Sequence, residues 1–232
     1  LSHMRANTSL FGHILGSNPE INGYYEMHIG YYSWKSLIRQ KLKFLDNHSF
    51  KENSTYIFDK VLHNEHAINC EMLLNHKVKI IISLRSPEET IPSIMTLYQE
   101  KIDPNHEFAT FDGATEYYKN RLNTLLLYSE KLKNNFIYLD ANSIKQQTKI
   151  AFSFLEQHLN LEHPLSDKYD LQSLTGKGSS GDNSSDLKQG KIINKKNDYS
   201  NIILDEEIIN KQTEHFTTIR DLIISNAQLS FQ

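Results

Sequence analysis

The sequence predicts an α/β fold of three layers, in which a central, mostly parallel sheet is covered on both faces by helices. Short continuous apolar runs alternate with segments of helical spacing, the order expected when strands are buried on both sides. The composition supplies one full core. Of the 232 residues 38% are hydrophobic and 10% aromatic, and 9 Gly and 5 Pro are too few for a low-complexity chain. No internal repeat divides the chain, so residues 1–232 read as one domain.

From the N-terminus, Leu10-Phe11-Gly12-His13-Ile14-Leu15 has helical spacing and is stopped by Gly16 and Pro19. Thr55-Tyr56-Ile57-Phe58 reads as a short strand, and Asn64 to Asn75 as a helix with Ala67, Ile68, Met72 and Leu73 on one face. Lys77 to Leu84 is the strongest strand, continuous, β-branched and bounded by polar residues, which places it in mid-sheet. Ser86 then caps a helix with Pro87 at its first position and Glu88 and Glu89 favourable to its dipole, and Pro92 should kink or delay it. Thr115 to Lys133 carries Tyr118, Leu122, Leu125, Leu126 and Leu132 at helical spacing and leads into a third strand, Asn135 to Asp140. A helix from about Ile144 to His158 follows, with Ile150, Phe154 and Leu155 inward. The pattern breaks at Thr175 to Gly190, a Gly-, Ser- and Asp-rich stretch that is either a surface linker or a loop that orders around a ligand. Ile209, Gln212, Phe216, Ile219 and Ile223 mark one face of a last helix beginning after Asp205-Glu206-Glu207.

Charge and cysteine content narrow the function classes. With 25 Lys and Arg against 28 Asp and Glu, the net charge of −3 gives no overall electrostatic footprint for duplex nucleic acid or an anionic membrane. Cys70 has no internal partner, which fits a reducing compartment and excludes a disulfide scaffold or a cysteine-based zinc finger. The longest strongly apolar stretch, Val78 to Leu84, is far shorter than the roughly 20 residues of a spanning helix, and no secretory signal is visible. A cytoplasmic location is the expectation.

Two constellations carry chemistry. Arg5-Ala6-Asn7-Thr8-Ser9 is a short polar turn feeding a helix, which presents backbone amides and hydroxyls at a positive dipole end suited to phosphate or sulfate. On its own such a turn is most often only a cap. The chain has no G-x-x-x-x-G-K-[ST], which argues against an ordinary ATP or GTP phosphate loop. The second constellation is Arg85 at the end of the strongest strand with Ser93 eight positions on, a guanidinium fork and a hydroxyl at the carboxyl edge of a parallel sheet. The plainer alternative pairs Arg85 with Glu88 or Glu89 and leaves Ser93 a cap.

Together, in this order, the two resemble the sulfotransferase family that uses 3′-phosphoadenosine 5′-phosphosulfate (PAPS). The resemblance implies a fold like that of P-loop nucleoside-triphosphate hydrolases, with Arg5, Thr8 and Ser9 in the loop that cradles the 5′-phosphosulfate and Arg85 and Ser93 on the 3′-phosphate. Asn7 stands where the family has Gly, and Asn is the non-Gly residue most tolerant of left-handed backbone. Asn18-Pro19-Glu20-Ile21 and Tyr24-Tyr25-Glu26 are similar to the family's segment leading to a catalytic acid, and Glu26 lies 21 positions after Arg5, as in tyrosylprotein-type members. Asp59-Lys60 resembles the step whose lysine faces the transferring group. Lys177-Gly178-Ser179-Ser180-Gly181-Asp182 is similar to the loop that closes over the nucleotide and holds its 3′-phosphate, although Asn183-Ser184 replaces the aromatic or basic residues that usually follow. Tyr138-Leu139-Asp140 before Phe154-Leu155 also fits, but as core. The family's first loop follows a central strand, and Leu1-Ser2-His3-Met4 alone precede Arg5, so that strand is either incomplete or partly replaced by foreign residues.

The resemblance implies sulfuryl transfer from PAPS to a hydroxyl, with the adenosine bisphosphate as product and no metal. Glu26 would be the general base, His28 its substitute, and Lys60 and Arg5 would neutralise charge while the amides from Asn7 to Ser9 form a fixed cradle. The acceptor expected is a saccharide or other small molecule, with a peptide tyrosine also open. Tyr24, Tyr25, Tyr31, Tyr32 and Trp34 could stack on it or be core. His13, His63, His66 and His106 read as packing or surface residues, since none forms an H-E-x-x-H pair. Two other readings stand beside this one: a nucleotide or small-molecule kinase with a degenerate phosphate loop, and a non-catalytic PAPS-binding module.

Overall fold

The computed structural model describes residues 1–76, 78–175, 186–195, 198–199, 201–202 and 204–232. Among them are five short strands, β1 (Ile21–Asn22), β2 (Tyr56–Ile57), β3 (Ile81–Leu84), β4 (Ile137–Asp140) and β5 (Leu229–Phe231), paired in parallel as β1-β2 and β3-β4-β5. The N-terminal segment joins the two ladders. The Leu1 amine donates to the Ile81 carbonyl at 2.6 Å and the Leu1 carbonyl accepts from Ser83 N at 3.0 Å, the parallel pattern in which one residue bonds both neighbours of its partner. On the other side Ser2 N donates to the Val61 carbonyl at 3.2 Å, just beyond β2. Leu1–His3 therefore lie between β2 and β3, in the central position, with Ser2 and His3 buried.

Eight α-helices are described: α1 (Thr8–Ser17), α2 (Trp34–Leu45), α3 (Cys70–Asn75), α4 (Pro87–Leu97), α5 (Phe111–Lys131), α6 (Ser143–Gln146), α7 (Thr148–Leu159) and α8 (Glu206–Asn226). Alternate strand residues face opposite layers. Ile82, Leu84, Phe136 and Tyr138 pack on one side with Ile91 and Ile94 of α4, Leu122 and Leu125 of α5, and Phe216 and Ile219 of α8. Ile81, Ile137 and Leu139 pack on the other with Leu10, Ile14 and Leu15 of α1, Ile144 of α6, and Phe152 and Leu155 of α7. Burial on both faces explains why β3 and β4 read as continuous apolar runs.

Several boundaries differ from expectation, each for a local reason. The strand expected from Lys77 begins at Ile81, with residue 77 outside the described set. The helix expected from Asn64 begins at Cys70, because Asn69 caps it through a bond from Met72 N to its Oδ1 and Ile68 is occupied in a bridge to Tyr31. Pro92 does not delay α4, which runs from Pro87 with Pro92 inside it; Ser86 stands at the cap position without a side-chain cap bond. The long helix α5 starts four residues earlier than expected, since Thr110 Oγ1 accepts from Gly113 N. The segment after β4 is two helices with a break at Gln147, so Ile150 is exposed and Ala151, Phe152, Leu155 and Leu159 face inward. Helix α8 matches its expected face, with Ile209, Phe216, Ile219 and Ile223 buried.

Two glycines set how α1 meets the chain after β1. A Cβ on Gly12 would lie 2.3 Å from the Tyr24 carbonyl oxygen, and one on Gly16 would lie 2.6 Å from that of Gly23. One turn apart on α1, they let the backbone two residues ahead of Glu26 lie directly on the helix.

Candidate active site

Strands β1 and β2 lie on one side of Leu1–His3 and β3 to β5 on the other, so the direction of winding reverses there. Ligands of open parallel sheets bind outside the carboxyl ends of the strands at such a switch point. A cavity of about 700 Å³ opens there, lined among others by Arg5, Asn7, Thr8, Ser9, Glu26, His28, Lys60 and Arg85. Eight residues singled out in the sequence thus converge. Ala6 is buried and does not line it, while Ser93 is buried on α4 and is reached through Arg5. Lys177 and Gly178 lie outside the described residues.

The first loop is held by a chain of polar contacts. Arg5 and Asn7 take left-handed backbone, with φ of 63° and 56°, a conformation that Asn tolerates better than most non-Gly residues. Asn7 caps α1 by position only. Its Nδ2 instead donates to the Ala141 carbonyl at 2.9 Å and to Asn142 Oδ1 at 3.1 Å, beyond β4. Asn142 Nδ2 donates to Glu89 Oε2 at 2.7 Å, Arg85 Nε donates to the same oxygen at 3.1 Å, and Arg85 Nη1 donates to the Arg5 carbonyl at 3.0 Å. Arg5 Nε in turn donates to Ser93 Oγ at 2.9 Å. Arg85 therefore does have the Glu89 partner of the plainer reading, and it also ties the loop to β3.

The opposite wall carries the acid and the lysine. Lys60 is buried and its Nζ donates to Ser9 Oγ at 3.0 Å, at the mouth of α1. Asp59 Oδ1 accepts from Met27 N at 2.9 Å and Lys60 N at 2.8 Å, and its Oδ2 accepts from Tyr31 Oη at 2.5 Å. One carboxylate thus fixes the segment bearing Glu26 against the strand end bearing Lys60. Burial, the largest influence on Asp59, pushes its carboxyl up to about 6. Glu26 is 8% exposed, its Oε1 is buried without a hydrogen-bond donor, and His28 Nδ1 lies 3.7 Å from that oxygen. His28 itself has a φ of 51°, a left-handed backbone that is uncommon for non-Gly residues and that His, like Asn and Asp, takes more often than the rest.

Sequence reasoning missed other parts of the wall. Lys101 on the π-helical turn Tyr98–Ile102, Lys145 on α6 and Lys191 reach the same cavity, as do Tyr98, His63 and Tyr169. Among the described residues, six cationic side chains (Arg5, Lys60, Arg85, Lys101, Lys145, Lys191) thus line it against two carboxylates, Glu26 and Asp186. These lysines sit on separate elements with no common spacing, so no motif announced them. Of the aromatic stretch, Tyr24, Tyr25 and Tyr31 are core, Tyr32 and Trp34 are exposed, and none lines this cavity. His3 was also missed. Its Nε2 accepts from Arg85 N at 3.0 Å and its Nδ1 donates to the Met4 carbonyl at 2.8 Å, the pattern of a neutral ring, and burial lowers it to about 4. Buried Arg121 on α5 donates to the carbonyls of Ser2 and Val61 and to Asn64 Oδ1, clamping the central segment from behind.

The fold is similar to that of the sulfotransferase domain from the curacin biosynthetic pathway, with a TM-score of 0.60 over 95% of this chain and 94% of that one at 13% sequence identity. At that identity the likeness is one of fold. The chain matches no protein-family model and no curated protein sequence. No described helix is long and apolar enough to cross a membrane.

Proposed function

We propose that the protein is a PAPS-dependent sulfotransferase that moves a sulfuryl group to the hydroxyl of a saccharide or other small acceptor. The observation that carries this reading is the convergence at one cavity of the α1 N-terminus, Arg5, Lys60, Arg85 and a buried carboxylate, Glu26, whose Oε1 accepts no hydrogen bond. The excess of cations suits a ligand bearing several phosphate and sulfate charges, and a helix N-terminus supplies fixed amide donors. PAPS would supply the activated sulfuryl group; the residues supply position and charge.

Glu26 Oε1 takes the acceptor's proton as the acceptor oxygen bonds to sulfur and the bond from sulfur to the phosphate oxygen breaks. Lys60, fixed by Ser9 and by the backbone bond to Asp59, and Arg5, fixed by Ser93, neutralise charge on the departing side. Arg85 holds the loop through the Arg5 carbonyl and stands at the strand end where a second phosphate would lie. The test is transfer of labelled sulfate from PAPS to a panel of saccharides, small alcohols, phenols and tyrosyl peptides, with calorimetry of adenosine 3′,5′-bisphosphate against ATP. Preference for the bisphosphate with transfer to one acceptor class supports the reading. Binding without transfer would make the chain a PAPS-binding module, and preference for ATP would favour a kinase.

A further inference from the structure

We propose that Glu26, His28 and His66 form a site for a divalent transition-metal ion, with zinc as the first choice. One ligand atom from each lies within 4.8 Å of those of the other two, and Glu26 Oε1 is 3.7 Å from His28 Nδ1. A tetrahedral ion with bonds of about 2.0–2.2 Å sets its ligands roughly 3.4 Å apart, so small side-chain rotations close the set. The buried Oε1 of Glu26 accepts no hydrogen bond, and the buried Nε2 of His66 makes none. Glu65 Oε1 stands 3.5 Å from that same Nε2 and adds negative charge beside it. The rings of His28 and His66 meet edge to face at 5.7 Å, and His63 closes the other side of His66 at 6.4 Å. One carboxylate and two imidazoles, with further positions open, make a donor set suited to zinc and unsuited to magnesium or calcium.

This inference takes from the sulfotransfer reading only the role of Glu26: zinc on Oε1 would occupy the lone pair that receives the proton, and so would inhibit transfer reversibly. Calorimetric titration with Zn²⁺ and visible spectroscopy with Co²⁺ test the site directly. One equivalent should bind, with the absorption of a low-coordinate cobalt centre. His66→Ala, which alters a residue away from the cavity wall, should weaken zinc at least about tenfold, leave zinc-free transfer unchanged and make it resistant to zinc. His28→Ala, at an exposed position, should weaken zinc similarly. Absence of stoichiometric binding, or equal affinity in both variants and wild type, overturns the site. Zinc binding without transfer would instead refute the sulfotransfer reading and leave the site standing.

A separate observation carries a second inference, that α2 docks on an anionic lipid surface. Its inward face holds Ser36, Gln40 and Phe44, whereas Trp34, Ile38, Leu42 and Leu45 are between 44% and 59% exposed. At about 100° per residue these four span an arc of roughly 80° pointing away from the buried face. Apolar side chains therefore stand on both sides of α2: Phe44 and Leu37 pack inward beside Ser36 and Gln40, and a second, tryptophan-bearing apolar stripe faces out. Lys35 and Arg39 flank one edge of the apolar arc, Lys41 the other and Lys43 lies further round, while the helix contains no carboxylate. A near-neutral chain thus concentrates four cations around one apolar stripe, which overall charge conceals. A tryptophan-bearing apolar stripe between cations matches the boundary between acidic headgroups and acyl chains.

Trp34 is the chain's one tryptophan, so its emission reports docking directly. Vesicles containing phosphatidylserine should shift that emission to the blue and co-sediment the protein, while phosphatidylcholine vesicles should do neither. Leu42→Asp and the pair Lys35→Glu with Arg39→Glu, all at exposed positions, should abolish both effects. No shift, or an equal shift with neutral vesicles, overturns the inference, as would docking confined to an acidic protein.

Discussion

Two buried groups beside the site change stability in opposite directions over nearly the same pH window. Burial lowers His3 from its ordinary 6.5 to about 4. Between those values the unfolded chain carries a proton that the folded ring refuses, so the stability His3 confers is full above pH 6.5 and is lost as the pH falls toward 4. At about 1.4 kcal/mol per pH unit the loss approaches about 3 kcal/mol. Asp59 does the reverse. Raised from 3.8 to about 6, it binds a proton in the folded state that the unfolded chain has released, so stability grows by about 3 kcal/mol as the pH falls through that range. In wild type the two largely cancel between pH 6 and 4. Replacing either one exposes the other. Urea unfolding of wild type, His3→Gln and Asp59→Asn from pH 7 to 4 reads the effect, because each difference from wild type removes the titrating groups they share. His3→Gln should gain on wild type as the pH falls, and Asp59→Asn should lose on it. Parallel curves for wild type and His3→Gln would refute the neutral buried His3, and with it the bond by which that ring fixes Arg85 N.

Three further outcomes follow from the geometry. Glu26→Gln keeps size but removes the base, so turnover should fall by roughly two to four orders of magnitude with nucleotide affinity unchanged; near-normal turnover here, with loss in His28→Ala, would move the base to His28. Arg85→Ala removes a charged hydrogen-bond donor and should weaken bisphosphate binding by roughly 1.5–3 kcal/mol, read by calorimetry; unchanged affinity in a folded variant would leave Arg85 only its ties to Arg5 and Glu89. Gly12→Ala would press a methyl group on the Tyr24 carbonyl at 2.3 Å, costing about 1–3 kcal/mol by overpacking and displacing Glu26; a thermal midpoint and turnover both equal to wild type would contradict that close approach.

What the sequence made legible follows from how local each signal is. Strand β3 could be read because Ile82 and Leu84 face one core and Ile81 the other, which favours apolar residues at successive positions, broken within β3 by Ser83 alone. Strands β1 and β2 span two residues each, and β5 lies at the edge with Leu229 exposed, so none produces a period to detect. The polar turn before α1 and the Arg85 to Ser93 spacing were visible as residue types, since both lie within a few residues of one strand end. Lys101, Lys145 and Lys191 reach the cavity from three separate elements, and only the tertiary fold brings them together.

Asn7 shows where local reasoning stops. Tolerance of left-handed backbone follows from the side chain alone, and the φ of 56° agrees with it. The side chain's second contribution depends on the segment beyond β4, more than 130 residues away, where Asn7 Nδ2 meets Ala141 O and Asn142 Oδ1. A glycine there would supply the turn and nothing else. Asn supplies the turn and also links the loop to Asn142, hence to Glu89 and Arg85. Asn7 is thus, in the folded chain, one member of the network that holds the loop to the carboxyl ends of β3 and β4.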